Sequence, residues 1–351
     1  MSHRLSRRFF LRASLAAGAA PAVLSDIAKG GSPNDRIQLA SIGCGGQGQR
    51  DISLAAGPAH AEVRALCDVH PGRAHVQKTI DRFPNARFYT DYRVLLEKEG
   101  DRLDGVTIST PDHNHAPATM AALRRGLATY TQKPLTARVQ EARSLRLEAA
   151  KRGAVTQMGI QGHNNDIETR MAVELLKRQA IGKIKEVHVW TDRPTGEPNY
   201  AHWLQGVSPP KEQHPVPDGL AWDLWLGPAE RRPYNNKYLP AVWRGWYDFG
   251  TGALGDIACH ALDAIFEGME LDAPETVICE ALTVPVGGFP NKQQVTWTFP
   301  GSKYTADSTL TVVWYDGGQK PPRDLLPEGH RDRELLTGGK LIIGTEGAML
   351  T

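Results

Sequence analysis

The 351-residue chain has only four cysteines, and no two of them (Cys44, Cys67, Cys259, Cys279) form a C-x-x-C pair. That spacing excludes a zinc ribbon and a disulfide-dense scaffold. It also lacks a surplus of charge, with 41 basic residues against 39 acidic ones. Four of the arginines fall within residues 1–24, which hold no acid; setting them aside leaves 37 basic residues. No basic face of the kind that nucleic acid demands is indicated. Nor is any apolar run long enough for ~30 Å of hydrocarbon, so stable membrane insertion is not expected. No repeat or low-complexity block occurs, and no third ligand accompanies any histidine–acid pair, so no metal site is indicated. What remains is ordinary globular material, 40% apolar and 23% charged. At about 150 residues per domain the length implies two domains.

Residues 1–12 are basic (MSHRLSRRFFLR), and a short alanine-rich apolar stretch runs on to Leu24. Basic head, brief apolar run and small residues have the layout of a secretory signal. Arg7 and Arg8 followed by Phe9, Phe10 and Leu11 resemble the twin-arginine export motif. Residues 1–33 are therefore expected to be signal and linker, and the protein to be exported to the periplasm.

Residues 34–154 have the makings of an NAD-binding Rossmann domain. An apolar run, Arg36–Ile42, leads into Gly43-Cys44-Gly45-Gly46-Gln47-Gly48, which satisfies G-x-G-x-x-G. A helical stretch follows, then a second strand at Glu62–Cys67 ending at Asp68, twenty residues past Gly48. Gly43 permits the tight turn, Gly45 a close approach to a pyrophosphate, and Gly48 close packing of helix on strand. The helix N-terminus offers free N–H groups to the phosphates. Asp68 suits the adenosine ribose hydroxyls and would repel a 2′-phosphate, which favours NAD over NADP. Helices at 71–82, 92–98, 116–125 and 136–152 alternate with strands at 105–109 and 128–130. That alternation gives a doubly wound parallel sheet, with ligands beyond the carboxyl ends of its strands. Two segments fall there, Thr110-Pro111-Asp112-His113-Asn114-His115 and Gln132-Lys133-Pro134.

From residue 155 to 351 the composition changes. Six of the eight tryptophans lie between residues 190 and 246, and strand-like runs follow one another with few helices between them. These predict a large open sheet, mostly antiparallel, in an α/β substrate domain. One helix, predicted over 252–268 (GALGDIACHALDAIFEG), sets Asp256 and His260 four residues apart on one face, with Asp263 three further on. A carboxylate one turn from an imidazole suits a general acid/base. The same spacing also fits a surface ion pair or a buried histidine satisfied by its neighbour.

Together the motifs resemble the glucose–fructose oxidoreductase, inositol dehydrogenase and rhizopine-catabolism (Gfo/Idh/MocA) family. The segments that carry the likeness are the glycine loop at 43–48, Asp68, STPDHNH at 109–115, QKP at 132–134 and GDIACHALD at 255–263. The resemblance implies a Rossmann domain followed by an α/β domain whose open sheet mediates homo-oligomerisation. It implies that Lys133 and His260 face the nicotinamide of a bound NAD, with Asp256 supporting them. Gly43, Gly45, Gly46, Gln47, Gly48, Asp68, Thr110, Pro111, His115, Gln132 and Lys133 are the expected cofactor contacts. Members usually carry glutamate where Gln132 stands, so Lys133 lacks one nearby negative charge. Exported relatives continue past Leu350-Thr351, so the final strands are expected to be missing.

His260 is the first choice for the acid/base, Asp256 for orienting it, and Lys133 for stabilising charge on the reacting oxygen. Gln161, His163, Asn164 and Asp263 are candidate contacts for a sugar or polyol. Tyr200, Trp203 and Trp246 suit either stacking on a sugar ring or plain core packing. An exported enzyme would find little free NAD to exchange and must keep its own. Three activities are open: oxidation of a sugar or polyol hydroxyl, glycoside cleavage through a closed redox cycle, and non-catalytic dinucleotide sensing.

Overall fold

The computed structural model describes residues 36–57, 61–163, 166–194, 204–239, 242–281 and 284–351. The expected export segment, Asn164, Tyr200 and Trp203 lie outside the described residues.

The first sheet holds six strands: β1 (Gln38–Ile42), β2 (Glu62–Cys67), β3 (Arg87–Tyr89), β4 (Gly105–Ile108), β5 (Ala128–Gln132) and β6 (Thr156–Gly159). They run in the order β3-β2-β1-β4-β5-β6, and every pair is parallel. Helices α1 (Gln47–Ala56), α2 (Ala74–Arg82), α3 (Tyr92–Glu99), α4 (His115–Arg124) and α5 (Val139–Arg152) connect them. Being covered on both faces, the sheet needs apolar central strands. Accordingly Ile42, Val106 and Ile108 pack with Leu95, Leu96 and Leu127, while Ile52 and Val76 pack with Val63 and Leu66. Strands β3 and β6 went unforeseen because three or four residues (RFY, TQMG) carry no readable periodicity. β6 also extends the sheet beyond the division expected after residue 154. The order of strands reverses between β1 and β4, which opens a crevice at their carboxyl ends.

The second sheet comprises β7 (Ile184–Trp190), β8 (Thr276–Ala281), β9 (Gln293–Pro300), β10 (Thr309–Tyr315), β11 (Gly339–Gly344) and β12 (Ala348–Leu350). Its order is β12-β11-β7-β10-β9-β8, with β7 and β10 parallel and the other pairs antiparallel. The mostly antiparallel sheet expected from the sequence is therefore present. The helix expected over 252–268 is two helices, α8 (Gly252–Ala261) and α9 (Asp263–Met269), with Leu262 between them. Both pack on the sheet beside α6 (Ile167–Lys177), through Leu176, Ala258 and Ile265 against Val187, Val189, Val312 and Trp314. α6 was not expected, although its start is marked by Asp166, whose side chain accepts the Glu168 N–H at 3.2 Å.

Aromatic crowding before α8 has a packing cause. Trp222, Trp225, Tyr234, Tyr238, Trp243, Trp246 and Phe249 are buried together and give this strand-poor segment a core of its own. The short helix α7 (Trp222–Leu226) belongs to that core.

Candidate active site

A cleft of about 740 Å³ lies at the carboxyl ends of the first sheet and is shared with the second domain. Its floor is the glycine loop. Gly43 has φ +75°, and a Cβ on Gly48 would stand 1.8 Å from the Gly43 carbonyl oxygen, so this turn requires both glycines. α1 begins at Gln47 with no side chain capping it, and its Gly48 N–H is held by the Gly45 carbonyl at 2.9 Å; the positive end of its dipole faces the cleft and suits an anion. The Asp68 carboxylate accepts the Gly45 N–H at 3.2 Å and the His70 N–H at 3.1 Å. Burial raises its pKa against the opposing pull of those two N–H groups. Asp68 thus braces the loop as well as facing the cleft.

Gly43, Gly45, Gly46, Gln47, Thr110, Pro111, His115, Gln132, Lys133, Gln161, Asp256 and His260 line the same cleft. Gly48 lies beneath it, packed against the turn. Gln132 is a strut rather than an open contact. Its Nε2 donates to Asp51 Oδ2 at 2.9 Å, and its Oε1 accepts the Lys133 N–H at 3.2 Å. Asp51, on α1, also accepts Ser109 Oγ at 2.7 Å. His115 is buried, with its ring nitrogens 2.7 Å from the carbonyls of Thr110 and Pro134, and joins the loops after β4 and β5.

Lys133 Nζ donates to Asp256 Oδ1 and to the Asp256 carbonyl, each at 2.8 Å. Arg244 Nε donates to the same Oδ1 at 3.2 Å, its guanidinium 4.3 Å from the centre of the Trp243 ring. Burial alone would raise the Asp256 pKa, but Arg244 and Lys133 hold it below the usual carboxylate value. This corrects one expectation: Asp256 orients Lys133, not His260. Helical spacing put the two on one face, but a cation from the loop after β5 and another from the segment before α8 claim the carboxylate first. His260 finds a different partner. Its Nδ1–H donates to the Gln161 carbonyl at 3.1 Å, and because a carbonyl only accepts, Nε2 keeps its lone pair. Burial and the Lys133 charge lower the His260 pKa from 6.5, so the ring is neutral at neutral pH. A neutral base and a fixed cation in one cleft can take up a hydroxyl proton and steady the oxygen left behind.

Asp112, not among the residues expected in the site, lines the cleft with its carboxyl buried and bonded to Thr251 Oγ1 at 2.7 Å. Burial lifts its pKa to about 7, and neighbouring Asp256 adds to the rise. Asp112 lay within a segment already singled out, whereas nothing in the spacing of Arg244 marks it.

Three expected substrate contacts are corrected. His163 Nδ1 donates to Asp263 Oδ2 at 2.8 Å, and neither residue is among the described residues lining the cleft. The break at Leu262 puts Asp263 in the first turn of α9, where its carboxylate is taken by His163. Trp246 is 1% exposed, its Nε1 donating to the Lys237 carbonyl at 2.8 Å, and belongs to the aromatic core. Trp246→Ala is expected to cost about 3–5 kcal/mol of stability, read by denaturant unfolding. A change in sugar affinity with stability retained would return Trp246 to the substrate site.

The residues present fit a dinucleotide. The Thr110 hydroxyl, on the cleft wall, is buried without a hydrogen-bond partner, a vacancy suited to a polar ligand group. The glycine turn, the uncapped helix and Asp68 fit the pyrophosphate and ribose. Among the described residues no group of three metal-ligating side chains occurs.

Comparison with known proteins agrees. Residues 37–160 match the oxidoreductase family's NAD-binding Rossmann fold, and residues 181–299 match its C-terminal alpha/beta domain. A glycosyl hydrolase family 109 protein from Shewanella sp. (strain ANA-3) is 27% identical over 231 residues, covering 58% of this chain and 47% of that protein. An alpha-N-acetylgalactosaminidase from Shewanella oneidensis is 26% identical over 182 residues, covering 48% and 37%. The chain thus spans about half or less of the length of these relatives. Among solved structures, the WlbA dehydrogenase from Bordetella pertussis in complex with NADH and UDP-GlcNAcA superimposes with a TM-score of 0.61. That match has 16% identity and covers 90% of this chain and 79% of that one. The myo-inositol dehydrogenase from Lactobacillus casei, in complex with NAD(H) and myo-inositol, gives 0.55 at 17% identity, covering 90% and 74%. With both domains matched in order, the chain belongs to the Gfo/Idh/MocA family of NAD-binding oxidoreductases.

Proposed function

We propose that this protein oxidises a hydroxyl of a sugar, polyol or glycoside, using NAD. The observation that carries the reading is the convergence of a Lys133 ammonium and an unprotonated His260 Nε2 on the cleft that holds the glycine turn. NAD, when bound, supplies the hydride acceptor. His260 takes the hydroxyl proton at Nε2, Lys133 steadies the negative charge growing on that oxygen, and Asp256 with Arg244 keeps Lys133 in place. Apolar side chains of Trp225, Leu224 and Leu239 line the same cleft and lower the local dielectric, which strengthens these interactions. The proposal extends to location, with the twin-arginine-like head supporting export, and to assembly as a homo-oligomer.

A second reading is glycoside cleavage by oxidation, elimination and re-reduction, without net redox change. It draws support from relatives named as glycosyl hydrolase family 109 proteins and an alpha-N-acetylgalactosaminidase. Incubating purified protein with aryl glycosides and no added NAD separates the two. Release of the aryl group supports cleavage, whereas oxidised sugar with the glycosidic bond intact supports simple dehydrogenation. Neither product, across a broad panel, would overturn both.

A further inference from the structure

We infer that residues 217–228 form a strap that keeps NAD resident in the cleft between turnovers, an inference that rests on the cofactor reading above. The segment is tied down at both ends of the crevice. Near Asp68, the Ala221 N–H donates to the Val69 carbonyl at 2.9 Å, and His70 Nε2 donates to the Asp218 carbonyl at 3.2 Å. Near the loop after β4, Asn114 Nδ2 donates to the Trp225 carbonyl at 3.0 Å. His113 reaches the same carbonyl, its Nε2 lying 2.9 Å from the Trp225 oxygen and 3.0 Å from Asn114 Nδ2, while its Nδ1 lies 3.1 Å from the Phe249 carbonyl. Two neighbouring side chains thus meet the strap at the Trp225 carbonyl.

Sequence and geometry agree on why the strap passes here. Gly227 has φ +53°, and a Cβ on it would lie 2.1 Å from Asn114 Oδ1, so the chain can hug the Rossmann loop only with glycine at this point. Between its ties the strap presents Leu220, Asp223, Leu224 and Trp225 to the cleft. Behind, Trp222 stacks on Trp225 with ring centres 4.9 Å apart, and its Nε1 donates to the Arg232 carbonyl at 2.8 Å. Opening the strap therefore breaks hydrogen bonds at both ends and pulls buried indoles into water. Asp68 marks the adenosine end of the crevice and the 110–115 loop lies toward Lys133, so the strap runs along the cofactor's length. A resident NAD closes the redox cycle. The hydride and proton taken from one hydroxyl must return to a carbonyl, either a second substrate or the first one's own ketone, before the next turnover.

The test is exchange of bound NAD against excess radiolabelled NAD, in the full chain and in the His70→Ala/Asn114→Ala double variant. Bound NAD is expected to survive gel filtration in the wild type and to exchange at least about tenfold faster in the variant, the equivalent of one lost hydrogen bond or more. Hydrogen exchange at the Ala221 amide in the wild type gives a readout independent of any variant, since release through the strap cannot outrun its opening. NAD leaving faster than that amide opens would overturn the strap, as would equal exchange in variant and wild type. Rapid exchange in a protein that oxidises sugars with added NAD would sink the strap alone. Failure to bind any dinucleotide would sink the cofactor reading with it.

Discussion

Replacing Lys133 with methionine is expected to lower kcat by about 10²–10³-fold while leaving the bound dinucleotide in place. The side chain is nearly conserved in length, so the cleft keeps its shape and loses the ammonium. Removal of one partner of a buried ion pair ordinarily strands the other charge at a cost of several kcal/mol. Here it does not, because Arg244 Nε remains on Asp256 Oδ1. The variant should therefore melt close to the wild type, and the loss should fall on kcat more than on KM. Steady-state kinetics with a melting curve check both halves. A variant that retains kcat would remove Lys133 from the chemistry. One that unfolds would mean Arg244 does not compensate Asp256.

His260→Ala is expected to lower turnover by about 10²–10⁴-fold, again with the dinucleotide retained. Its pH dependence is more diagnostic than its size. The base must be neutral to accept a proton, and burial with the Lys133 charge lowers its pKa from 6.5. The wild-type rate of oxidation should then rise with pH, through a midpoint below 6.5, to a plateau at neutral pH. In the alanine variant that limb should vanish. The same shift affects stability. A histidine whose folded pKa lies below its unfolded value favours folding above the unfolded pKa, and that contribution is lost as pH falls toward the folded one. A limb that persists in His260→Ala would assign the base to another group.

The cofactor half of the site was legible because backbone geometry dictates it. A turn that passes under a pyrophosphate demands glycine at set positions, and Gly43 and Gly48 sit where no Cβ fits. Lys133 and His260 were legible through motif order. Their partners were not, because residues 112, 133, 244 and 256 meet only after both domains have folded. An i, i+4 spacing says that Asp256 and His260 share a face, but not that Lys133 will arrive from the loop after β5 to take the carboxylate. Trp246 misled for a related reason. Indoles that stack on one another and indoles that stack on a sugar have the same composition, and only burial distinguishes them. The strap lies in the tryptophan-rich stretch between residues 190 and 246, but its purpose depends on hydrogen bonds to Val69 and Asn114, over a hundred residues earlier.

On the proposed function, a hydroxyl bound in this cleft gives its hydride to NAD while His260 takes its proton and Lys133 steadies its oxygen. The most direct test of that step is rapid mixing of the purified, NAD-loaded protein with a panel of sugars, polyols and glycosides, with no dinucleotide added, while the near-ultraviolet absorbance of reduced nicotinamide is followed. A single burst of reduction, at most one per bound NAD, is expected with at least one member of the panel, and a reduction at least about a hundredfold slower in His260→Ala. Loaded protein that shows no reduction with any hydroxyl substrate, or equally fast reduction in His260→Ala, would contradict that step.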